Sequence, residues 1–193
     1  MAKPIGNLDM AKSSWNKGEE VISVEPTKPI QQASLQPESI TQQTLKRVEA
    51  ETYDTLYGNF EVGDTPFKGY TVSNKTLAEL YDFSKPSGAY GQYVKPRLNE
   101  NTEAFKRGLT STPMGKYQIV GTTLRSAAKQ MGLPDDTVFN KDTQDKIFLF
   151  LAKDAVSRGK TPAQKRKNLR KVWEGFRYVD NNKLDSVIAE IGN

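Results

Sequence analysis

The chain has 193 residues, of which 36% are hydrophobic, a formal net charge of +5, and neither cysteine nor histidine. The length suits one domain with an adequate core, and no stretch approaches the roughly 20 apolar residues of a membrane span. The missing residue types exclude disulfide frameworks, thiolate nucleophiles, zinc sites built on Cys or His, and Ser-His-Asp triads. Catalysis would therefore depend on Asp, Glu, Lys, Tyr, Ser or Thr, with one or two carboxylates as the leading candidates, and we expect no metal and no cofactor.

Residues 1–38 differ in composition from the rest of the chain. They hold four prolines, the polar tract "QQAS" and a single aromatic residue, Trp15. Such a segment buries too little apolar surface to offset the entropy of ordering, so we predict an arm that is disordered on its own. It is either a linker or a docking arm that orders on a partner, with Trp15 as the anchor. The first residues lack the apolar centre of a secretory signal, so we expect no export by the usual route.

A helix is predicted to open the domain that we assign to residues 39–193. In "ESITQQTLKRVEAE", Ser39 is a plausible N-cap, and apolar residues recur on one arc of a 3.6-residue repeat. Glu49 falls at the edge of that arc, where partial desolvation would raise its pKa toward the range of a general acid. It could equally be a surface glutamate at a helix end. Glu51 would also reach the arc if the helix ran one turn further.

The middle of the chain is rich in turns. "YDTLYGNFEVGDTPFKGYTVS" alternates aromatic and β-branched residues with glycines and a proline, which predicts small strands or an irregular hairpin. "NKTLAELYDF" predicts a short helix. Residues 84–112 predict a long loop with a helical turn around Tyr90 and Tyr93, and loops of that length are often functional.

The remainder predicts helices. Gly132 should stop a helix over residues 122–131, Asn140 should cap the next, and Pro162 should lie in the first turn of a third, before "NKLDSVIAEI" closes the chain. The fold class expected is α+β, predominantly α, with a small β region. The last long helices should bury the following residues: Ile147, Phe148, Leu151, Ala155, Leu169, Val172, Trp173 and Phe176.

Basic residues are concentrated between positions 153 and 177. This stretch holds nine Lys or Arg against two acids, Asp154 and Glu174. Such a run favours polyanions, either nucleic acid or the anionic polymers of a bacterial surface, although a solvated helix face is the commoner explanation. Nucleic-acid binding has no recognised motif in its favour.

Several motifs in a fixed order resemble the lysozyme-like superfamily. They are "EAETYDTLYGNFEV", then "GKYQIV", a helix ending "QMGL", and "NKDTQDKIFLFLA". The chain is most similar to the phage lambda type of lytic transglycosylase and to related phage muramidases. The resemblance covers residues 45 to about 190 and includes the pair Gln144 and Asp145 and a helix bearing Trp173. It implies a two-lobed fold with a substrate groove between the lobes.

The resemblance also implies site residues and a reaction. Glu49, four residues before Tyr53, would be the catalytic acid, with Glu51 as the other possibility because "EAET" departs from the family's turn. Tyr53, Asp54, Tyr117 and Gln118 would line the groove. Tyr117 would offer a flat surface to a sugar ring or be a core aromatic, Gln118 would direct its amide to a sugar, and Lys116 would be a charge at the rim.

The expected substrate is bacterial peptidoglycan. A transglycosylase would cleave the β-1,4 bond between N-acetylmuramic acid and N-acetylglucosamine with one Glu, giving a 1,6-anhydro product, whereas a hydrolytic muramidase would need a second carboxylate. Asp54 and Asp64 are the candidates, and Asp54 suits a structural role in its turn better. A virion structural protein without turnover is the alternative from another class. We expect the protein in the virion or in the host cytoplasm before lysis, acting on the cell wall, with residues 1–38 available to other virion proteins.

Overall fold

The structure is a computed structural model that describes residues 52–97 and 110–192, together with Thr44 and Ala50. Thr44 is helical and buried, and Ala50 is buried. The predicted arm over residues 1–38 and both candidate acids, Glu49 and Glu51, lie outside the described residues.

The described part is predominantly helical, with one small two-stranded sheet, as the composition and periodicity predicted. None of its helices is long and apolar enough to cross a membrane. Its two strands are antiparallel and pair Pro113 with Val120 and Met114 with Ile119. The strands and helices are, in chain order, α1 (Leu77–Ser84), α2 (Ala89–Val94), β1 (Pro113–Met114), β2 (Ile119–Val120), α3 (Gly121–Met131), α4 (Lys141–Ser157), α5 (Pro162–Val172) and α6 (Asn181–Gly192).

The helix ends follow the predicted capping signals. The side chain of Asn140 accepts a hydrogen bond from the backbone N–H of Thr143 at the start of α4. Thr161 forms a capping box with Gln164 ahead of Pro162 in α5. Gly132 ends α3 in the left-handed conformation, at φ 67°. The signals at Asn140, Pro162 and Gly132 need no distant contact, which is why the sequence predicted them; the capping box of Thr161 was not among the predictions.

The strands or hairpin predicted for residues 53–73 are wrong. The chain there forms turns and short 3₁₀ helices, and left-handed backbone at Gly58, Asn59 and Gly69 turns it repeatedly. Side-chain oxygens also take backbone N–H groups that a partner strand would have used, since Glu61 accepts from Leu56 N. The sheet instead lies within the stretch 113–120, and the predicted segment reaches it only through a single antiparallel bridge between Leu56 and Met114.

Aromatic rings fill the core beside α1 and α2. Phe83 stacks on Tyr70 and on Tyr90, with ring centroids 4.3 and 4.9 Å apart. Phe67 meets four rings edge-on, those of Tyr70, Phe83, Tyr90 and Tyr93. The buried hydroxyl of Tyr90 donates to Pro113 O and accepts from Tyr57 N. Tyr90 therefore joins the turn-rich segment to β1.

Helix α4 is the centre of the helical part and packs against α3, α5 and α6. Most residues predicted to be buried are buried, including Ile147, Phe148, Leu169 and Phe176. Val172 is an exception, with 39% of its surface exposed. Helix α5 ends at Val172 and Trp173 adopts an extended backbone that turns its own ring into the core, so Val172 is left outside.

The N-cap of α4 can be tested by substitution. Asn140→Ala should lower the free energy of unfolding by about 1 kcal/mol, because the Thr143 N–H loses its acceptor. Asn140→Asp keeps an acceptor and adds a negative charge near the helix N-terminus, so it should cost little or stabilise. Urea denaturation of the three proteins measures the difference, and equal losses for Ala and Asp would contradict the cap.

Candidate functional site

The side-chain amide of Gln144 lies at the centre of the candidate site. Gln144 belongs to the first turns of α4 and is completely buried. Its Oε1 accepts from the backbone N–H of Lys116 at 3.0 Å, and its Nε2 donates to the carbonyls of Tyr53 and Phe139, both at 2.9 Å. One buried side chain therefore satisfies backbone groups of two distant segments and of Phe139, which precedes the N-cap of its own helix.

The neighbouring carboxylate, Asp145, binds two phenols. Its Oδ1 accepts from the hydroxyl of Tyr117 at 2.6 Å and from that of Tyr53 at 2.9 Å. The two rings also meet edge-on, with centroids 6.4 Å apart. Gln144 and Asp145 together thus hold the Tyr53 turn and the Tyr117 turn against α4, and we call these four residues the Gln-Asp hub.

The loop between β1 and β2 carries the second segment of the site. Gly115 has φ 74° and Gln118 has φ 45°, so two of its residues adopt left-handed backbone. The Nε2 of Gln118 donates to Gly115 O at 2.8 Å and to Thr55 O at 3.1 Å. These bonds stabilise the uncommon conformation and tie the loop to the Tyr53 segment.

Gly115 has no room for a side chain. A Cβ at this position would lie 2.2 Å from Gln144 Oε1 and 3.1 Å from the ring of Phe139. The loop therefore approaches the hub as closely as backbone permits.

Lys116 is buried rather than at the rim, which corrects the expectation from the sequence. Only 7% of its surface is exposed, and its Nζ lies over the ring of Tyr53, 4.9 Å from the centroid. Within the described residues no carboxylate lies within salt-bridge distance of this ammonium group. The loop thus places a desolvated positive charge against Tyr53.

The structure distinguishes the roles expected for Tyr117 and Gln118. Tyr117 is 1% exposed and stacks on Phe148 at 4.4 Å, which agrees with the second of its two expected roles, a core aromatic, and not with a flat surface open to a sugar. The amide N–H groups of Gln118 are engaged by backbone carbonyls, not left open for a sugar. Gln118 is half-buried and its remaining surface lines a pocket described below.

Tyr53 and Asp54 are half-buried and follow the candidate acids in the chain. Asp54 Oδ1 accepts from Ser73 N at 2.8 Å, so this carboxylate has the structural role that its turn suggested. Asp64, the other candidate for a second carboxylate, is exposed. Tyr53 is oriented by Asp145 and Lys116 together.

The sequence reasoning assigned no role to Gln144 and Asp145 beyond the resemblance. A signal was present, because Gln144 shares the buried arc of α4 with Ile147, Phe148 and Ala155. An amide in an apolar arc needs partners, and those partners are backbone groups far away in the chain.

The hub fixes the segment that directly follows the candidate acids. The carbonyl of Tyr53 accepts from Gln144, and the Tyr53 hydroxyl donates to Asp145. The carbonyl of Thr55 accepts from Gln118. Fixed neighbours are what a general acid requires, since proton transfer depends on the position of the acid relative to the leaving atom.

The contact between Gly115 and Gln144 predicts unequal effects for two matched substitutions. Gly132 and Gly115 both have positive φ, but a Cβ at Gly132 meets nothing within 4 Å. Gly132→Ala should lower the free energy of unfolding by about 1 kcal/mol, and Gly115→Ala by about 3 kcal/mol. Thermal and urea denaturation compare them, and similar losses would show that the crowding at Gln144 is unimportant.

The hydroxyl of Tyr117 predicts a pH dependence. Burial, followed by the hydrogen bond to Asp145 and its charge, raises the pKa of Tyr117 above its ordinary value. Its contribution to stability is complete below the unfolded pKa of about 10 and is lost as pH rises from there toward the folded pKa. Above pH 10, Tyr117→Phe should therefore lose stability less steeply than wild type, by at most about 1.4 kcal/mol per pH unit.

The control for this pH dependence is Tyr178→Phe, because Tyr178 is 82% exposed. Its alkaline slope should match that of wild type. Urea denaturation between pH 8 and pH 11.5 or so measures all three slopes. Equal slopes for wild type and Tyr117→Phe would contradict the predicted behaviour.

Comparisons with protein-family models, with curated proteins and with solved structures return no match to this chain. The case for a function therefore depends on the motifs of the sequence and on the contacts among them. The contacts of Gln144 and Asp145 join the three motifs at residues 53–55, 115–118 and 144–145.

Proposed function

We propose that this protein cleaves the glycan strands of bacterial peptidoglycan at the β-1,4 bond between N-acetylmuramic acid and N-acetylglucosamine. The observation that carries the proposal is the Gln-Asp hub. Three short motifs that resemble a lysozyme-like enzyme only as an ordered set are far apart in the chain, and in the fold they hydrogen-bond to one another. A lysozyme-like, two-lobed arrangement is part of this proposal.

Glu49 is the proposed acid and base. It would protonate the leaving glycosidic oxygen and then accept the proton of the muramoyl 6-hydroxyl, whose oxygen closes the 1,6-anhydro ring. This route consumes no water and needs no second carboxylate. Glu51 is the other possible acid.

The engagement of nearby carboxylates favours transglycosylation over hydrolysis. Asp54 accepts from Ser73 N, Glu61 accepts from Leu56 N, and Asp145 accepts from two phenols. A hydrolytic mechanism needs a second carboxylate free to activate water or to attack the sugar. Each of these three has a structural hydrogen bond to lose if it takes that role, which leaves the exposed Asp64 as the remaining candidate for a second carboxylate.

The proposal is tested on purified sacculi. Wild type should release soluble muropeptides whose muramic acid ends are anhydro forms, one water lighter in mass than reducing ends. Glu49→Gln should lower the rate by about a thousandfold, because the amide cannot donate or accept the proton. Glu51→Gln is the matched control and should stay within a few-fold of wild type.

Each other outcome has a definite meaning. No release by the folded wild-type protein would end the enzyme proposal and favour a virion protein without turnover. Reducing ends in place of anhydro ends would identify a hydrolytic muramidase. A dead Glu51→Gln with an active Glu49→Gln would move the acid to Glu51.

A further inference from the structure

A groove with a positively charged rim lies between the β-hairpin and the ends of α4 and α5. One hollow of about 310 Å³ extends from Gln118 to Trp173, and a second of about 280 Å³ adjoins it. The two hollows share three lining residues, Arg158, Lys171 and Val172, so they lie side by side, and we call them together the groove.

The walls of this groove combine apolar surface with cations. Val172 is 39% exposed and Leu151 is half-buried, although both were predicted to be core residues. Their apolar surface faces the groove instead. Lys171 and Arg158 stand beside this surface, which gives the groove the character of a site for a molecule with a short apolar part and a negative group.

The charges of the groove are not balanced. Among the described residues that line the hollows, Asp154 is the only acid, and Arg158 already binds it at 2.8 Å. Arg158 also donates to the carbonyl of Asp154, which orients the guanidinium group. For Lys171, no acid of the described residues lies within salt-bridge distance. Counting the described residues alone, the rim therefore carries one uncompensated positive charge.

The groove begins at the candidate site. Gln118 lines the larger hollow and donates to Thr55 O, two residues after Tyr53. Trp173, at the other end, donates its Nε1–H to Tyr117 O and contacts Phe148, which stacks on Tyr117. The groove and the Gln-Asp hub thus share the loop between β1 and β2.

We infer that this groove binds the short peptide that muramic acid carries in peptidoglycan. The inference rests on the proposed function for the identity of the polymer. The chemistry of this peptide matches the lining of the groove. Its alanine methyl group can pack against Val172 and Leu151, and its carboxylates can pair with Lys171 and Arg158. Binding the peptide beside the hub would hold a muramic acid residue, rather than N-acetylglucosamine, next to the loop.

Tryptophan fluorescence tests the inference without any cleavage step. Trp15→Phe leaves Trp173, which lines the groove, as the single tryptophan. The probe is N-acetylmuramyl-L-alanyl-D-glutamate, and the comparison compound is the same molecule with both glutamate carboxyls amidated. The acid should give a saturable change, and the diamide should bind about tenfold more weakly or not at all.

Matched lysine substitutions locate the site. In the Trp15→Phe background, Lys171→Met should weaken binding of the acid about fivefold, because an exposed charge contact is lost. Lys153→Met removes the same charge from an exposed position of α4 that lines neither hollow, and it should leave binding unchanged. Equal affinity for acid and diamide, or equal effects of the two substitutions, would overturn the inference.

Two further arms separate other anions and the proposed function. A single-stranded oligonucleotide that binds with dependence on Lys171, while the muropeptide does not, would make the groove a nucleic-acid site and overturn the inference. Peptide binding without cleavage of sacculi would support the peptide-binding groove and contradict the proposed enzymatic function. Cleavage of sacculi without peptide binding would support the enzymatic function and overturn the inference about the groove.

Discussion

The buried amide of Gln144 is the constraint on which the rest of the structure depends. A completely buried amide is costly unless its donors and acceptor are satisfied, and each of its partners is a backbone group that must lie in one place. The loop at Gly115 can approach only because glycine stands there. Helix α4 is thereby more than a packing element, since its first turns determine where the Tyr53 segment and the β-hairpin loop meet.

Asp145 extends the same constraint to side chains. By accepting from Tyr53 and Tyr117 it orients two rings, and through Tyr117 it reaches a series of aromatic contacts that runs by way of Phe148 to Trp173. The hub, the hairpin loop and the end of α5 are therefore coupled through direct contacts. A substitution in any of them would therefore alter the position of the segment that follows the candidate acids.

The sequence was informative where structure is local and misleading where it is not. The cap at Asn140, the first-turn Pro162 and the stop at Gly132 were predictable because each depends on neighbours in the chain. The alternation of aromatic and β-branched residues predicts strands in the turn-rich segment. In the structure, side-chain oxygens such as that of Glu61 accept hydrogen bonds from its backbone N–H groups instead. Lys116 was expected at the rim and Tyr117 either in the groove or in the core, and only the contacts with the distant Gln144 and Asp145 determine that both are buried.

In the basic stretch from 153 to 177, arginine and lysine side chains have different roles. Its four arginines all bind acceptors of the fold; Arg166, for example, binds both oxygens of Asp185, and Arg170 reaches two backbone carbonyls. No lysine side chain of the stretch has such a partner in the part of the chain that is described. Arginine's planar fork suits fixed acceptors, whereas lysine is a hydrated point charge. The lysines therefore attract anions to this surface without selecting among anions of different shape. Any such selectivity must come from the apolar walls of the groove and from the oriented guanidinium group of Arg158.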